Sequence, residues 1–124
     1  MHKVFLIIGS VFGGLAVTIG AFGAHALKNL LESTGRMDTF ETAVKYQFYH
    51  ALALTLLGIL MFSYKHPIFN YAGYAFTIGT IVFSGSLYAL CLSGITKFGM
   101  ITPIGGFLMI LGWFFLLFGT IKAI

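Results

Sequence analysis

The sequence predicts an all-α integral membrane protein, a four-helix transmembrane bundle. Two observations carry this. The 124 residues are 59% hydrophobic and only 8% charged, whereas a soluble domain carries about 25% charged residues. A water-soluble chain this short would lack the polar surface to cover itself. The apolar residues also fall into four long segments, each roughly 28–35 Å as a helix, enough to cross a hydrocarbon core of about 30 Å. Backbone groups find no water inside lipid, so the segments must be helices.

The first span runs from about Val4 to Ala26. His2 and Lys3 in front, and Ala24-His25-Ala26 behind, imitate a secretory leader. Its apolar run exceeds the roughly 7–15 residues of a leader core and is rich in Gly, so it is expected to stay as a span. Residues 27–42 read as an interfacial loop. Within it, Asp38-Thr39-Phe40-Glu41 matches a capping box, which would start the second helix ahead of the membrane. The second span covers about Ala43 to Tyr64, and Pro67 after it cannot continue that helix. The third covers about Phe69 to Leu92, and the fourth Pro103 to Ile121. Thr102-Pro103 reads as N-cap and first helical residue of the fourth. Residues 1–124 thus form one transmembrane domain.

Four spans bring both termini to one side of the bilayer. Lys3, Lys65 and Lys122 share that side, and Lys28, Arg36, Lys45 and Lys97 share the other. Three against four leaves orientation undecided by the positive-inside rule. The net charge of +4 is scattered over several loops, which reads as topology signals and excludes a nucleic-acid patch. The lipid bilayer is the expected partner.

Gly is 16 of the 124 residues, about twice its usual share. The first span carries small residues at Gly9, Gly13, Ala16, Gly20 and Gly23, and the fourth carries Gly105, Gly112 and Gly119 one heptad apart. Such seams let helices approach closely. The partner is either a helix of the same chain, another copy in a homo-oligomer, or another membrane protein.

Depth groups the polar residues. His25, Gln47, His50, Ser84, Ser86, Tyr88 and Thr102 all fall in the leaflet half away from the termini. Polar side chains there must face protein or a water-filled notch. At about 100° per residue, Tyr46, Tyr49 and His50 lie on one arc of the second helix, continued by Ala53 and Leu57. On the third helix Thr77, Thr80, Ser84, Tyr88 and Cys91 share one face, and Ala75, Gly79, Ser86 and Ser93 the other. Hydroxyls on such faces commonly just bond the carbonyl one turn back.

Chemistry is weakly encoded. His25 and His50 are candidates for a proton relay, a metal pair or a haem clamp, with hydrogen-bonded structural histidines the preferred reading. Two His without a thiolate or carboxylate make a poor zinc site, and bis-His haem needs a roomy cavity. Neither a metal nor another cofactor is expected. No Asp or Glu lies deep in a span, against a carboxylate-driven antiporter. Ser84 and Ser86 have no orienting carboxylate for a Ser–His hydrolase, so no catalytic residue is assigned. Gly105-Gly106 at a helix start offers free N–H groups, a weak anion signal alone. Cys91 is the lone cysteine, so no intrachain disulfide forms.

The stretches GAFGAHAL (20–27), YQFYHALAL (46–54), FSGSLYAL (83–90) and TPIGG (102–106) resemble the motifs of a family of small four-span bacterial membrane proteins of unknown function. That family includes YgdD, YwdK and the staphylococcal membrane stabilising protein. The resemblance covers essentially the whole chain. It implies a multi-pass plasma-membrane protein with both termini cytoplasmic, and carries over His25, Gln47, His50, Ser84, Ser86, Tyr88, Thr102 and Pro103 as a shared signature without a mechanism. The expected function is non-enzymatic support of membrane and envelope homeostasis through lipid or partner contacts. The alternative is a small transporter or channel with its polar site in the extracytoplasmic half.

Overall fold

The computed structural model describes residues 1–124. The chain runs α1 (His2–Ala24), α2 (Lys28–Ser33), α3 (Met37–Ser63), α4 (Pro67–Ser93), a 3-10 turn (Thr96–Met100) and α5 (Thr102–Ala123), with no strand. Four helices are long and apolar enough to cross a membrane, as the hydropathy pattern predicts. The central pair is α3 and α4; α1 leans chiefly on α3 and α5 on α4.

The glycine seams determine this pairing. Phe69, Phe76 and Phe83 recur every seven residues along α4, and Gly119, Gly112 and Gly105 recur every seven in the opposite direction along α5. Each ring or backbone of the first set sits where a Cβ of the second would be. A Cβ on Gly119 would meet the Phe69 ring at 2.5 Å and one on Gly112 the Phe76 ring at 2.6 Å, while one on Gly105 would overlap the Phe83 backbone. Antiparallel helices thereby interlock without a gap.

The α1 seam does the same against α3. A Cβ on Gly9 would lie 2.5 Å from Thr55 Oγ1, one on Gly20 3.3 Å from Val44, and one on Gly23 inside the Phe40 ring. Gly13 faces Ala51, and Ala16 is buried. Both seams are therefore occupied within the chain.

Two apolar cores result. At the terminal end Phe5, Leu54, Leu57, Met61, Phe69 and Phe76 pack together. At the loop end Leu31, Phe40 and Cys91 form a smaller one. Leu31 belongs to α2, so residues 27–42 are not a plain interfacial loop. Leu31 is fully buried and pins this short helix over the bundle, while Gly35, at φ 70°, turns the chain into α3, a left-handed geometry that favours glycine.

Three helix starts differ from expectation. α3 opens at Met37 with Arg36 before it and no side-chain cap, so Asp38 sits inside the first turn. The Asp38 carbonyl accepts the Thr42 hydroxyl at 2.9 Å, and its charge complements the helix dipole instead. α5 opens at Thr102 itself, with Pro103 in the first turn and no side-chain cap, because the Thr102 hydroxyl is turned to Ser86. α4 starts at Pro67, two residues earlier than expected, where His66 Nδ1 accepts the Ile68 N–H at 3.2 Å.

Candidate functional site: an internally bonded polar cluster

The loop half of the bundle holds the polar side chains, and α3 supplies its hub. Gln47 is buried, and both ends of its amide reach other helices. Its Nε2 donates to the Phe12 carbonyl of α1 at 2.9 Å, and its Oε1 accepts the Tyr88 hydroxyl of α4 at 2.6 Å. One side chain thus ties three helices together.

His50 sits one turn deeper, 4% exposed. Its Nε2 accepts the Trp113 indole N–H of α5 at 3.1 Å, and its Nδ1 lies 2.8 Å from the Tyr46 carbonyl. An indole N–H only donates and a carbonyl only accepts. The pair of bonds therefore defines a neutral imidazole protonated at Nδ1, with both nitrogens engaged. Phe76 and Trp113 flank the ring, with centroids 5.5 and 5.9 Å away.

The hydroxyls complete the set. Ser84 donates to the Ala43 carbonyl at 2.7 Å, linking α4 to α3. Ser86 donates to the Phe83 carbonyl at 2.9 Å, so in its 2.6 Å contact with Thr102 it accepts, linking α5 to α4. Each of these side chains has its hydrogen-bonding capacity directed at another helix or at its own backbone. Burial without such bonds would be costly, since an unmet buried polar group forfeits its desolvation.

Not every residue singled out joins the cluster. His25 lies just past α1, exposed and outward, beside Val17, Thr18, Ala21 and Phe22 in a shallow hollow of about 540 Å³. The reason is helical phase: two residues beyond the inward Gly23 is about 200° around the axis. A His25–His50 relay or clamp is therefore absent from this fold. Tyr49 is 53% exposed and faces away from the cluster, its ring edge-on to Tyr46 at 5.8 Å. Tyr46 is itself partly exposed and packs on Phe83 at 5.0 Å.

Sequence reasoning missed Trp113, whose indole N–H bonds His50. Its signal was present, because it is the one Trp of the chain and sits mid-span, whereas Trp favours the membrane interface. The acceptor carbonyls of Phe12, Ala43 and Tyr46 carry no side-chain signal at all.

The chemistry available is limited by these bonds. His50 has no carboxylate partner and the Ser84 hydroxyl is turned to a carbonyl, so neither forms a nucleophile–base pair of the kind hydrolysis needs. No three His, Cys, Asp or Glu side chains gather in one place. Beside the cluster a cleft of about 350 Å³ opens between α3, α4 and α5, lined by Tyr46, His50, Phe83, Gly106, Met109, Ile110 and Trp113. One buried hydroxyl, that of Thr80, has no hydrogen-bond partner.

Residues 19–106, which include every side chain of the cluster except Trp113, match the family model described as "Protein of unknown function (DUF423)". A UPF0382 membrane protein of Staphylococcus saprophyticus is 45% identical over 120 residues, spanning 97% of this chain and 98% of its own. One from Staphylococcus haemolyticus is 43% identical over 122 residues, 98% of each chain. One from Staphylococcus epidermidis is 43% identical over 97% of each. No solved structure matches. The chain belongs to the DUF423 (UPF0382) family of membrane proteins.

Proposed function

We propose that this protein acts without catalysis, as a multi-pass plasma-membrane protein with both termini cytoplasmic that supports membrane integrity through contacts with lipid or with other membrane proteins. The observation behind this reading is the bonding of the polar cluster. Gln47, His50, Ser84, Ser86, Tyr88 and Thr102 hold helices to one another. In this reading they keep four thin, glycine-seamed helices in one rigid arrangement, so that the outer faces of α1 and α5 meet the bilayer in a fixed shape. Those faces are large and apolar, including Ile7, Val11, Val17 and Phe22 on α1 and Ile104, Phe107, Phe114 and Phe118 on α5.

The test is genetic and physical together. Cells lacking the protein are expected to leak a small dye more readily under membrane stress, and the wild-type gene to restore the barrier. Restoration by Gln47→Leu and His50→Ala only in proportion to folded protein fits the reading. A fully folded His50→Ala protein that restores nothing contradicts it.

A transport reading draws on the α3–α5 cleft next to His50. It requires flux of a solute in liposomes that His50→Ala abolishes while the fold persists. The two readings separate on that measurement.

A further inference from the structure

We propose that the terminal end of the bundle carries a binding site for the phosphate of an anionic phospholipid headgroup. This deepens the lipid-contact reading above and supplies one contact of that kind. The site is a pocket of about 390 Å³, bounded by Met1 and His2 of the first turn of α1, Met61 of α3, the connecting Lys65 and His66, and Asn70 of α4. It lies at the opposite end of the bundle from the polar cluster.

Four features give it its chemistry. The first is charge. Lys65 faces the pocket, and the three acidic side chains, Glu32, Asp38 and Glu41, all lie on α2 and α3 at the other end of the molecule. The second is helix polarity. α1 and α4 both begin here, at His2 and Pro67, and bring two positive dipole ends to one hollow. The last carbonyls of α3 arrive at the same place, and Lys65 stands next to them in the chain.

The third is a positioned donor. His66 Nδ1 accepts the Ile68 N–H, which leaves the proton on Nε2 and that N–H for an acceptor. The fourth is depth. The pocket sits where α3 ends and α4 begins, directly above the terminal-end core that includes Met61 and Phe69. His2 packs on Phe62 with ring centroids 4.3 Å apart, and Phe62 is exposed to the lipid side. A headgroup phosphate in the pocket would place its acyl chains along that apolar flank, which selects a lipid over the free ion.

The experiment uses the full chain in a neutral detergent. It is mixed with phosphatidylglycerol, with phosphatidylcholine of the same chains, or with inorganic phosphate, and bound molecules are counted by native mass spectrometry. The wild type is expected to retain phosphatidylglycerol over phosphatidylcholine. Lys65→Gln is expected to lower that retention about fivefold, as loss of a cation beside a phosphate predicts, and His2→Gln/Lys65→Gln further. Lys3→Gln, which removes the same charge outside the pocket, is expected to change it little. Equal loss in Lys3→Gln and Lys65→Gln, or equal retention of the two lipids, overturns the site. Binding of inorganic phosphate without a preference for phosphatidylglycerol overturns the lipid assignment. The readout is binding alone, so it is independent of whether loss of the protein makes cells leak.

Discussion

Replacing Gln47 by Leu removes two interhelical hydrogen bonds at once, the 2.9 Å bond to the Phe12 carbonyl and the 2.6 Å bond from the Tyr88 hydroxyl. In membranes such bonds average about 0.6 kcal/mol each and reach about 1.7. The two losses together cost about 1–2 kcal/mol on that scale. The Phe12 carbonyl remains within its own helix, but the partly buried Tyr88 hydroxyl is left without its acceptor, which adds about 1 kcal/mol. The expected destabilisation is therefore about 2–3 kcal/mol. Tyr88→Phe breaks one bond and strands the Gln47 oxygen. The double variant strands nothing, so it is expected to be more stable than the sum of the singles by about 1 kcal/mol. Reversible unfolding in mixed micelles of dodecyl sulfate and dodecyl maltoside, followed by helical circular dichroism, measures all four proteins. Additivity within about 0.3 kcal/mol, or a Gln47→Leu protein as stable as wild type, would refute the reasoning.

The same titration separates other claims. Gly105→Ala places a Cβ on the Phe83 backbone, whereas Gly85→Ala meets nothing within 4 Å; the first is expected to cost about 2–3 kcal/mol and the second to stay within about 0.5. His50→Ala leaves the Trp113 indole without its acceptor and should cost about 2 kcal/mol or more, while His25→Ala, on an exposed side chain, should change stability by under about 0.5. Cys91 is 3% exposed, so a maleimide should label it at least about tenfold more slowly in the native micelle than after unfolding.

The legible parts of the fold are those that depend on composition along the chain. Four apolar runs gave four helices, since lipid permits little else. The heptad glycines marked the faces that pack closely. What they pack against was also written in the sequence, as Phe69, Phe76 and Phe83 at the same period, yet a list of small residues does not bring it to notice. The starts of α3 and α5 were misjudged for one shared reason. Asp38 and Thr102 have the right chemistry for caps, but burial of Phe40 fixes the phase of α3, and Ser86 holds the Thr102 hydroxyl. Tertiary contacts outweigh a cap worth about 1 kcal/mol.

The polar side chains were easier to place in depth than in direction. Depth alone grouped His25 with His50, although the phase of the glycine seam already turns His25 to the outside. Gln47, Ser84 and His50 bond backbone carbonyls of Phe12, Ala43 and Tyr46, and every residue has such a carbonyl. Those partners become visible only once the helices are in register.

The central claim is that the polar cluster is a hydrogen-bonded lock between helices rather than a hydrated binding site. Trp113 is the one Trp of the chain, so its indole N–H gives a single resonance that reports directly on the bond to His50 Nε2. In bilayer discs transferred to D2O, the lock predicts that this resonance persists for hours, protected as only global opening would release it. Its loss at the first measured time point, with the backbone amides of α3 still protected, would show water at His50 and contradict the account.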